Sequence, residues 1–314
     1  MEVQVESAFI SPSEIVFSSA RRLPWLFRPV VRAIFRMYPY RATPHWVLRH
    51  LKEMLGIRTS RKMKVEGFTI ETDPFDGPGL EFWQSGLTEP ETQELFLTIL
   101  RPGMVLLDVG AYVGQFTLIS SRATSGDIRI FSFEPTPEVF RQLRRNIQAN
   151  KCAHVTCIQA ALSDKPGKAK FYFYPDSHDQ NSLRALASSD ARFAQVNVET
   201  VDSISEKYSI DRMDIIKVDV EGNELAVLKG ASLSLARFRP ILIIEISRHQ
   251  STYGYTGADI KAYLNGFGYN TFRVLLGARP PYEYSPNEIS AESSHFNILA
   301  VPGEASVPFK RNNQ

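Results

Sequence analysis

Cysteine is scarce in this chain of 314 residues: there are two, Cys152 and Cys157. Their spacing fits neither a CxxC redox pair nor a zinc knuckle, so both read as reduced thiols in a reducing compartment. Long apolar runs are missing as well. No stretch reaches the ~18 residues that a membrane-spanning helix needs, and MEVQVESAFI has no cationic segment ahead of an apolar one. A cytoplasmic location is therefore the expectation. Internal repeats and low-complexity tracts are also absent, while hydrophobic residues make up 43% of the chain. That balance excludes global disorder and allows one large domain.

Acidic residues are thin over the first 64 positions, where four Glu face twelve Lys or Arg. The whole chain carries a formal charge of +2, so the remaining 250 residues are net acidic by about six charges. Arg28, Arg32 and Arg36 recur every four residues in a helical pattern, and Thr43, Pro44 and Gly56 bracket a second helix. Residues 1–62 thus read as a basic helical N-terminal extension. It either packs on the main domain or makes peripheral contact with an anionic membrane surface or an acidic partner. Residues 63–88 read as a short β region, 89–302 as the main domain and 303–314 as a tail.

From residue 89, apolar strand-like runs alternate with helical patterns. The order is MVLLDVG before 114–124, IRIFSFE before 137–149, VTCIQAAL, DIIKVDV before 223–236, PILIIEI before 257–266, then YNTFRVLL and FNILAVP. Continuous apolar strands are buried on both faces. The alternation predicts an α/β fold, a Rossmann-like and mostly parallel seven-stranded sheet with helices on both faces. AKFYFYP (169–175) and VNVETVD (196–202) interrupt the rhythm and read as extra strands around a polar loop, an insertion or cover at about 169–202. Thr136 and Pro137 supply an N-cap and N1 pair, and Asn150 a left-handed helix terminator.

In an open parallel sheet, ligands gather beyond the carboxyl ends of the strands. Here those ends carry Asp108, Glu134, Asp164, the pair Asp219 and Glu221, and Glu245. So much negative charge calls for a cation or several hydroxyl groups. The first loop is a poor phosphate cradle. Counting from Gly110, the G-x-G-x-x-G pattern requires glycines where Tyr112 and Gln115 stand, and no GxxxxGK[ST] loop occurs. A ligand without phosphates suits it better. Gly110 lets the backbone come close, Gly114 opens a helix whose free amides can receive a carboxylate, and Asp108 can accept from an ammonium group. Glu134 can accept both hydroxyls of a ribose, with Pro135 beside the adenosine and Ala160, Ala161 and Leu162 along the adenine. Amino-acid head, positive centre and ribose together describe S-adenosylmethionine. Ala111, Tyr112, Phe116 and Thr117 complete the candidate contacts of the loop. On this reading, Gly110→Val blocks S-adenosylmethionine binding and leaves the fold intact.

The segments PGMVLLDVGAYVGQFT, FSFEPTPEVFRQLRRNI, AALSD, RMDIIKVDVEGNELAVLKGA and PILIIEI follow one another at characteristic spacing. In that order they resemble the FkbM family of class I S-adenosylmethionine-dependent methyltransferases, between roughly residues 83 and 302. KVDVEGNE is the most telling piece. Tyr112 stands where the family usually has asparagine, and the first 60 residues lie outside the resemblance. The resemblance implies O-methylation of a hydroxyl on a sugar, glycan, polyketide or related natural product.

Methyl transfer to a hydroxyl needs an in-line approach and a group that removes the proton. Asp219 and Glu221, two apart on a strand, would face the same way at its active edge. Asp219 then orients donor or acceptor and Glu221 acts as base. His249, in SRHQ, is the alternative base, with a solvated loop histidine as its bland counterpart. The acid pair could instead hold a divalent cation such as Mg²⁺, and Glu221 with Glu224 could simply stabilise a helix N-terminus. Asn181, Ser182 and Glu245 are the candidate substrate contacts. Of Phe171, Tyr172, Phe173 and Tyr174, two should pack inward and two line the opening. An acidic crevice without an Asn/Asp-Pro-Pro-Tyr/Phe tetrad argues against nucleic acid. A cofactor-binding protein that is non-catalytic or of different specificity stays open, as do a membrane-associated or macromolecular acceptor and homo-oligomerisation.

Overall fold

The computed structural model describes residues 61–65, 67–72, 89–173, 181–184, 192–275, 282–283 and 295–305. The helices expected around Arg28–Arg36 and Thr43–Gly56, as well as Tyr174, lie outside the described residues. The described part opens with a hairpin, β1 (Arg61–Val65) and β2 (Phe68–Thr72), and continues through α1 (Pro90–Ile99), β3 (Met104–Val109), α2 (Gln115–Ala123), β4 (Ile128–Phe133) and α3 (Pro137–Ala149). Next come β5 (Val155–Ile158), β6 (Ala161–Leu162), β7 (Gly167–Phe173), β8 (Arg192–Glu199), α4 (Val201–Lys207) and β9 (Ile215–Val218). The last part holds α5 (Glu224–Lys229), α6 (Ser232–Phe238), β10 (Ile241–Ser247), a 3₁₀ helix (Arg248–Tyr253), α7 (Gly257–Asn265), β11 (Tyr269–Leu275), β12 (Tyr282–Glu283) and β13 (His295–Pro302).

The main sheet has the order β12-β11-β13-β10-β9-β3-β4-β5. β5, β4, β3, β9 and β10 run parallel, while β13 is antiparallel to both β10 and β11. Apart from the two-residue β12 at the edge, this is the expected mostly parallel sheet of seven strands. Side-chain alternation sends neighbouring residues of one strand to opposite faces. Leu107, Ile216 and Ile244 therefore pack with α4 to α7, whereas Leu106, Ile215 and Ile243 pack with α1 and Phe116 of α2. Both faces are covered, as a parallel sheet requires. From β3 the chain winds one way to β4 and β5, then returns to build β9 and β10 on the other side. The crevice opens at that reversal, beyond the ends of β3 and β9.

Local chemistry explains most boundaries. On α3, Val139, Phe140, Leu143 and Ile147 are buried while Arg141, Arg144 and Arg145 face out, and Pro137 takes the first turn. Asn150, however, is not left-handed; φ is −96° there and +57° at Lys151, which takes the terminating turn instead. The expected single helix over 223–236 is broken into α5 and α6. Gly230 lies at the break, where a Cβ would sit 2.0 Å from the Ser163 carbonyl oxygen. VTCIQAAL is also divided: β5 stays in the main sheet, and β6 joins β8 and β7 in a separate three-stranded sheet. Residues 200–202 are not strand, because the Thr200 hydroxyl accepts from the Ser203 amide and starts α4.

The hairpin is fixed to α3 by two asparagines that serve as a substitute strand. Asn150 accepts from the Thr69 amide at 2.8 Å and donates to the Thr69 carbonyl at 2.6 Å. Asn146 does the same for Glu71 at 2.8 and 3.0 Å, and donates to Val113 as well. Cys152 and Cys157 are both free thiols. Among the described residues, no helix is long and apolar enough to cross a membrane.

Candidate active site

A cavity of about 360 Å³ opens at the carboxyl ends of β3, β4, β9 and β10. Its walls include Gly110, Ala111, Tyr112 and Phe116 from the first loop, Glu134 and Pro135 after β4, and Ala160, Ala161 and Leu162 beside β6. The opposite wall is made by Lys217, Asp219, Glu221, Glu245 and His249. Asn181 and Phe171 close it from the insertion side. Phe171 is buried, whereas Tyr172 and Phe173 are half-buried.

The glycine loop is shaped by the sheet before any ligand is considered. Gly110 has φ +84°, and a Cβ there would lie 1.7 Å from the Asp219 carbonyl oxygen, so β3 and β9 converge too closely for any side chain. The expectation that Gly110→Val leaves the fold intact is overturned by this contact. Gly114, with φ +95°, does not line the cavity; its missing side chain makes room for Leu143 of α3, 2.7 Å from where a Cβ would sit. Tyr112 is left-handed as well, at φ +50°, a conformation that is costly for a bulky side chain.

Asp108 is 1% exposed and lies beneath the loop, not on the cavity wall. Its Oδ2 accepts from the Thr117 hydroxyl at 2.6 Å, and Thr117 in turn lies 2.7 Å from the Ser132 hydroxyl. Burial raises the Asp108 pKa, opposed by Lys217 and Thr117. Asp164 is exposed and away from the cavity. Glu134 does line it, 7% exposed, with Oε1 accepting from the Thr136 amide at 2.8 Å. Burial pushes its carboxyl up to about 7, against the lowering effect of the Thr136 amide and hydroxyl and the Tyr112 amide.

The DVEGNE run divides its labour. β9 ends at Val218, so Asp219 and Glu221 do not share a strand face; Glu221 sits in a turn at φ +54°. That left-handed turn nevertheless brings them together: one oxygen of each lies within 4.8 Å of the other and of a Glu245 oxygen. Asp219 Oδ2 is 2.5 Å from Lys217 Nζ. Glu221 Oε2 accepts from His249 Nδ1 at 2.8 Å. Gly222 permits the turn to press on the His249 backbone, 2.8 Å from where its Cβ would be. Asn223 donates to the Leu162 carbonyl at 3.3 Å. Glu224 is fully buried and accepts from the Val220 and Gly222 amides, Gln250 Nε2 and the Tyr255 hydroxyl. The turn is therefore stapled by Glu224, and Glu221 is turned to the cavity. His249 is no solvated loop residue: it is 7% exposed on the 3₁₀ helix.

Glu245 lies within β10 and is 9% exposed, and burial together with the charges of Glu221, Asp219, Glu224 and Glu89 pushes its pKa well up. Asn181 donates to the Thr136 hydroxyl at 3.3 Å. Ser182 does not line the cavity; its hydroxyl pairs with the Tyr253 hydroxyl at 2.6 Å and donates to the Glu221 carbonyl at 3.2 Å, which latches the insertion onto the turn.

Lys217 was not among the sequence candidates. It is 2% exposed and lies 4.5 Å from the centre of the Phe116 ring. Burial alone would lower its pKa, but Asp219, Glu89 and Asp108 carry it above the ordinary lysine value. A lysine inside the otherwise apolar run IIKV was the available signal, since such a residue stays buried only when paired. Asn297 and Thr72 also reach the cavity, from β13 and from the hairpin.

A family model described as "Methyltransferase FkbM domain" matches residues 108–271. Among related proteins, "Methyltransferase 1" of Beauveria bassiana is 29% identical over 143 residues, which is 40% of this chain and 57% of that protein. The "31-O-demethyl-FK506 methyltransferase FkbM" of Streptomyces tacrolimicus is 26% identical, over 54% of this chain and 74% of that protein. The "Hexuronic acid methyltransferase AglP" of Haloferax volcanii is 28% identical, over 50% and 62%. The chain thus spans less than two thirds of two of these relatives.

Proposed function

The chain belongs to the FkbM methyltransferase domain family, and from that membership together with the crevice we propose that it moves a methyl group from S-adenosylmethionine to a hydroxyl oxygen of a sugar, glycan, polyketide or related natural product. The single observation that carries the reading is one cavity bounded by Glu134 and the Gly110 loop on one side and by the Glu221–His249 pair on the other. The residues present suit the donor. Glu134 is a buried acceptor for ribose hydroxyls, and Pro135, Ala160, Ala161 and Leu162 form an apolar wall for a base. When bound, S-adenosylmethionine supplies an electrophilic methyl group on a sulfonium.

The chain's own residues do the rest. The Glu221 carboxylate accepts from His249 Nδ1, which fixes the neutral ring with its lone pair on Nε2 and stabilises the imidazolium once a proton arrives. Asp219, held by Lys217, keeps negative charge beside the reacting centre without being free to swing. Ser182 ties the insertion to the 3₁₀ helix through Tyr253 and to the Glu221 turn, beside the Glu221–His249 pair. The 31-O position named for the S. tacrolimicus relative supports an oxygen acceptor, and the hexuronic acid named for the H. volcanii relative supports a sugar-derived one. The test is transfer of labelled methyl from S-adenosylmethionine to pooled hydroxylated metabolites and glycans. Label in an ether-linked methyl is the expected result; donor binding with no transfer to any hydroxyl acceptor would count against it.

A further inference from the structure

We propose that the carboxylates of Asp219, Glu221 and Glu245, with the amide oxygen of Asn297, bind one divalent cation, Mg²⁺ or Mn²⁺, which holds the hydroxyl oxygen of the acceptor. One oxygen from each carboxylate lies within 4.8 Å of the other two. A single ion with oxygen ligands at roughly 2.0–2.6 Å bridges that span. Clustered acids alone would not establish a site. What sets this cluster apart is a pair of buried acceptors that accept nothing among the described residues: Glu245 Oε2, on a side chain 9% exposed, and Asn297 Oδ1, on one 6% exposed.

The two orphans are neighbours. Glu245 and Asn297 face each other across β10 and β13, and both line the cavity. The amide cannot turn over to satisfy itself, because Asn297 Nδ2 already donates to Glu89 Oε2 at 2.5 Å and to Thr92 Oγ1 at 3.0 Å. Its Oδ1 is the atom left without a donor. A buried acceptor without a donor is costly, and a cation among the gathered carboxylates would relieve both. An all-oxygen donor set selects Mg²⁺ or Mn²⁺ over zinc or copper.

The inference rests on the hydroxyl-methylating reading and assigns the cation a task in it. A cation-bound hydroxyl gives up its proton more readily. That proton goes to His249 as the oxygen–carbon bond forms and the carbon–sulfur bond breaks, leaving a neutral thioether. The full-length protein, stripped with a chelator and dialysed, is titrated with Mn²⁺ alone, and bound ion is read from the loss of the free-ion paramagnetic resonance signal. S-adenosylmethionine affinity is measured separately by calorimetry. One Mn²⁺ per chain, displaced by Mg²⁺ and weakened at least about tenfold in Glu245→Gln, is expected. Asp219→Asn is the second variant should Glu245→Gln fail to fold. No binding at millimolar Mn²⁺, or unchanged binding in a folded variant, overturns the proposal. The titration uses neither donor nor acceptor, so intact donor binding without ion binding removes the cation and leaves the methyltransferase reading standing.

Discussion

Glu134 gives the sharpest quantitative expectation, because its burial should make donor binding depend on pH. Its carboxyl titrates at about 7 in place of 4.5, since burial outweighs the Thr136 and Tyr112 donors. A ribose hydroxyl donates best to the ionised form. About one tenth of the protein carries that form at pH 6 and nine tenths at pH 8, so S-adenosylmethionine should bind up to about tenfold more tightly at pH 8, or about 1.4 kcal/mol. Calorimetry at both pH values measures it. Glu134→Gln should abolish that component while leaving any contribution from other groups, and Glu134→Ala should cost about 1.5–3 kcal/mol of affinity at pH 8. The same shift sets the stability of the ligand-free protein. The native state holds this proton more tightly than the unfolded chain, so the contribution is fully present below pH 4.5 and is lost as pH rises through about 7, a difference of about 3 kcal/mol. Glu134→Gln should therefore flatten the fall in urea stability over that window. Wild-type affinity that is level from pH 6 to 8, or a Gln variant with an undiminished slope, would refute the reasoning.

Gly110→Val should unfold at lower denaturant than wild type, by more than the roughly 1–3 kcal/mol of backbone strain alone, because its Cβ would overlap the Asp219 carbonyl; a variant that keeps wild-type stability contradicts that geometry. Tyr112→Asn should stabilise the protein by about 0.5–1 kcal/mol in urea unfolding, since asparagine tolerates the left-handed backbone at this position. Glu221→Gln and His249→Ala should each lower kcat far more than they alter donor affinity, and the double variant should lose little more than the worse single one, because the two act as a pair. Independent, multiplying losses would separate them.

Local pattern alone made much of the fold legible. The apolar runs around Leu106, Ile130, Ile216 and Ile243 called for a doubly covered parallel sheet, and Pro137 with the buried stripe of α3 marked a helix over 137–149. Strand ends pointed to Glu134, Asp219, Glu221 and Glu245, which line one cavity. These features repeat over a few residues, so a linear chain displays them. Contacts that depend on strand order were hidden. Nothing in the spacing showed that Asp108 would turn beneath the loop to Thr117, or that Gly110 was required by the Asp219 carbonyl just past β9. Nor did it show Lys217 paired inside the core, or His249 joined to Glu221 across 28 positions. Asn297 reaches Glu245 only because β13 inserts antiparallel beside β10, a choice made by the packing of the whole sheet. Residue periodicity determines which faces are buried; the three-dimensional arrangement of strands decides which side chains meet, and so where charge and proton can go.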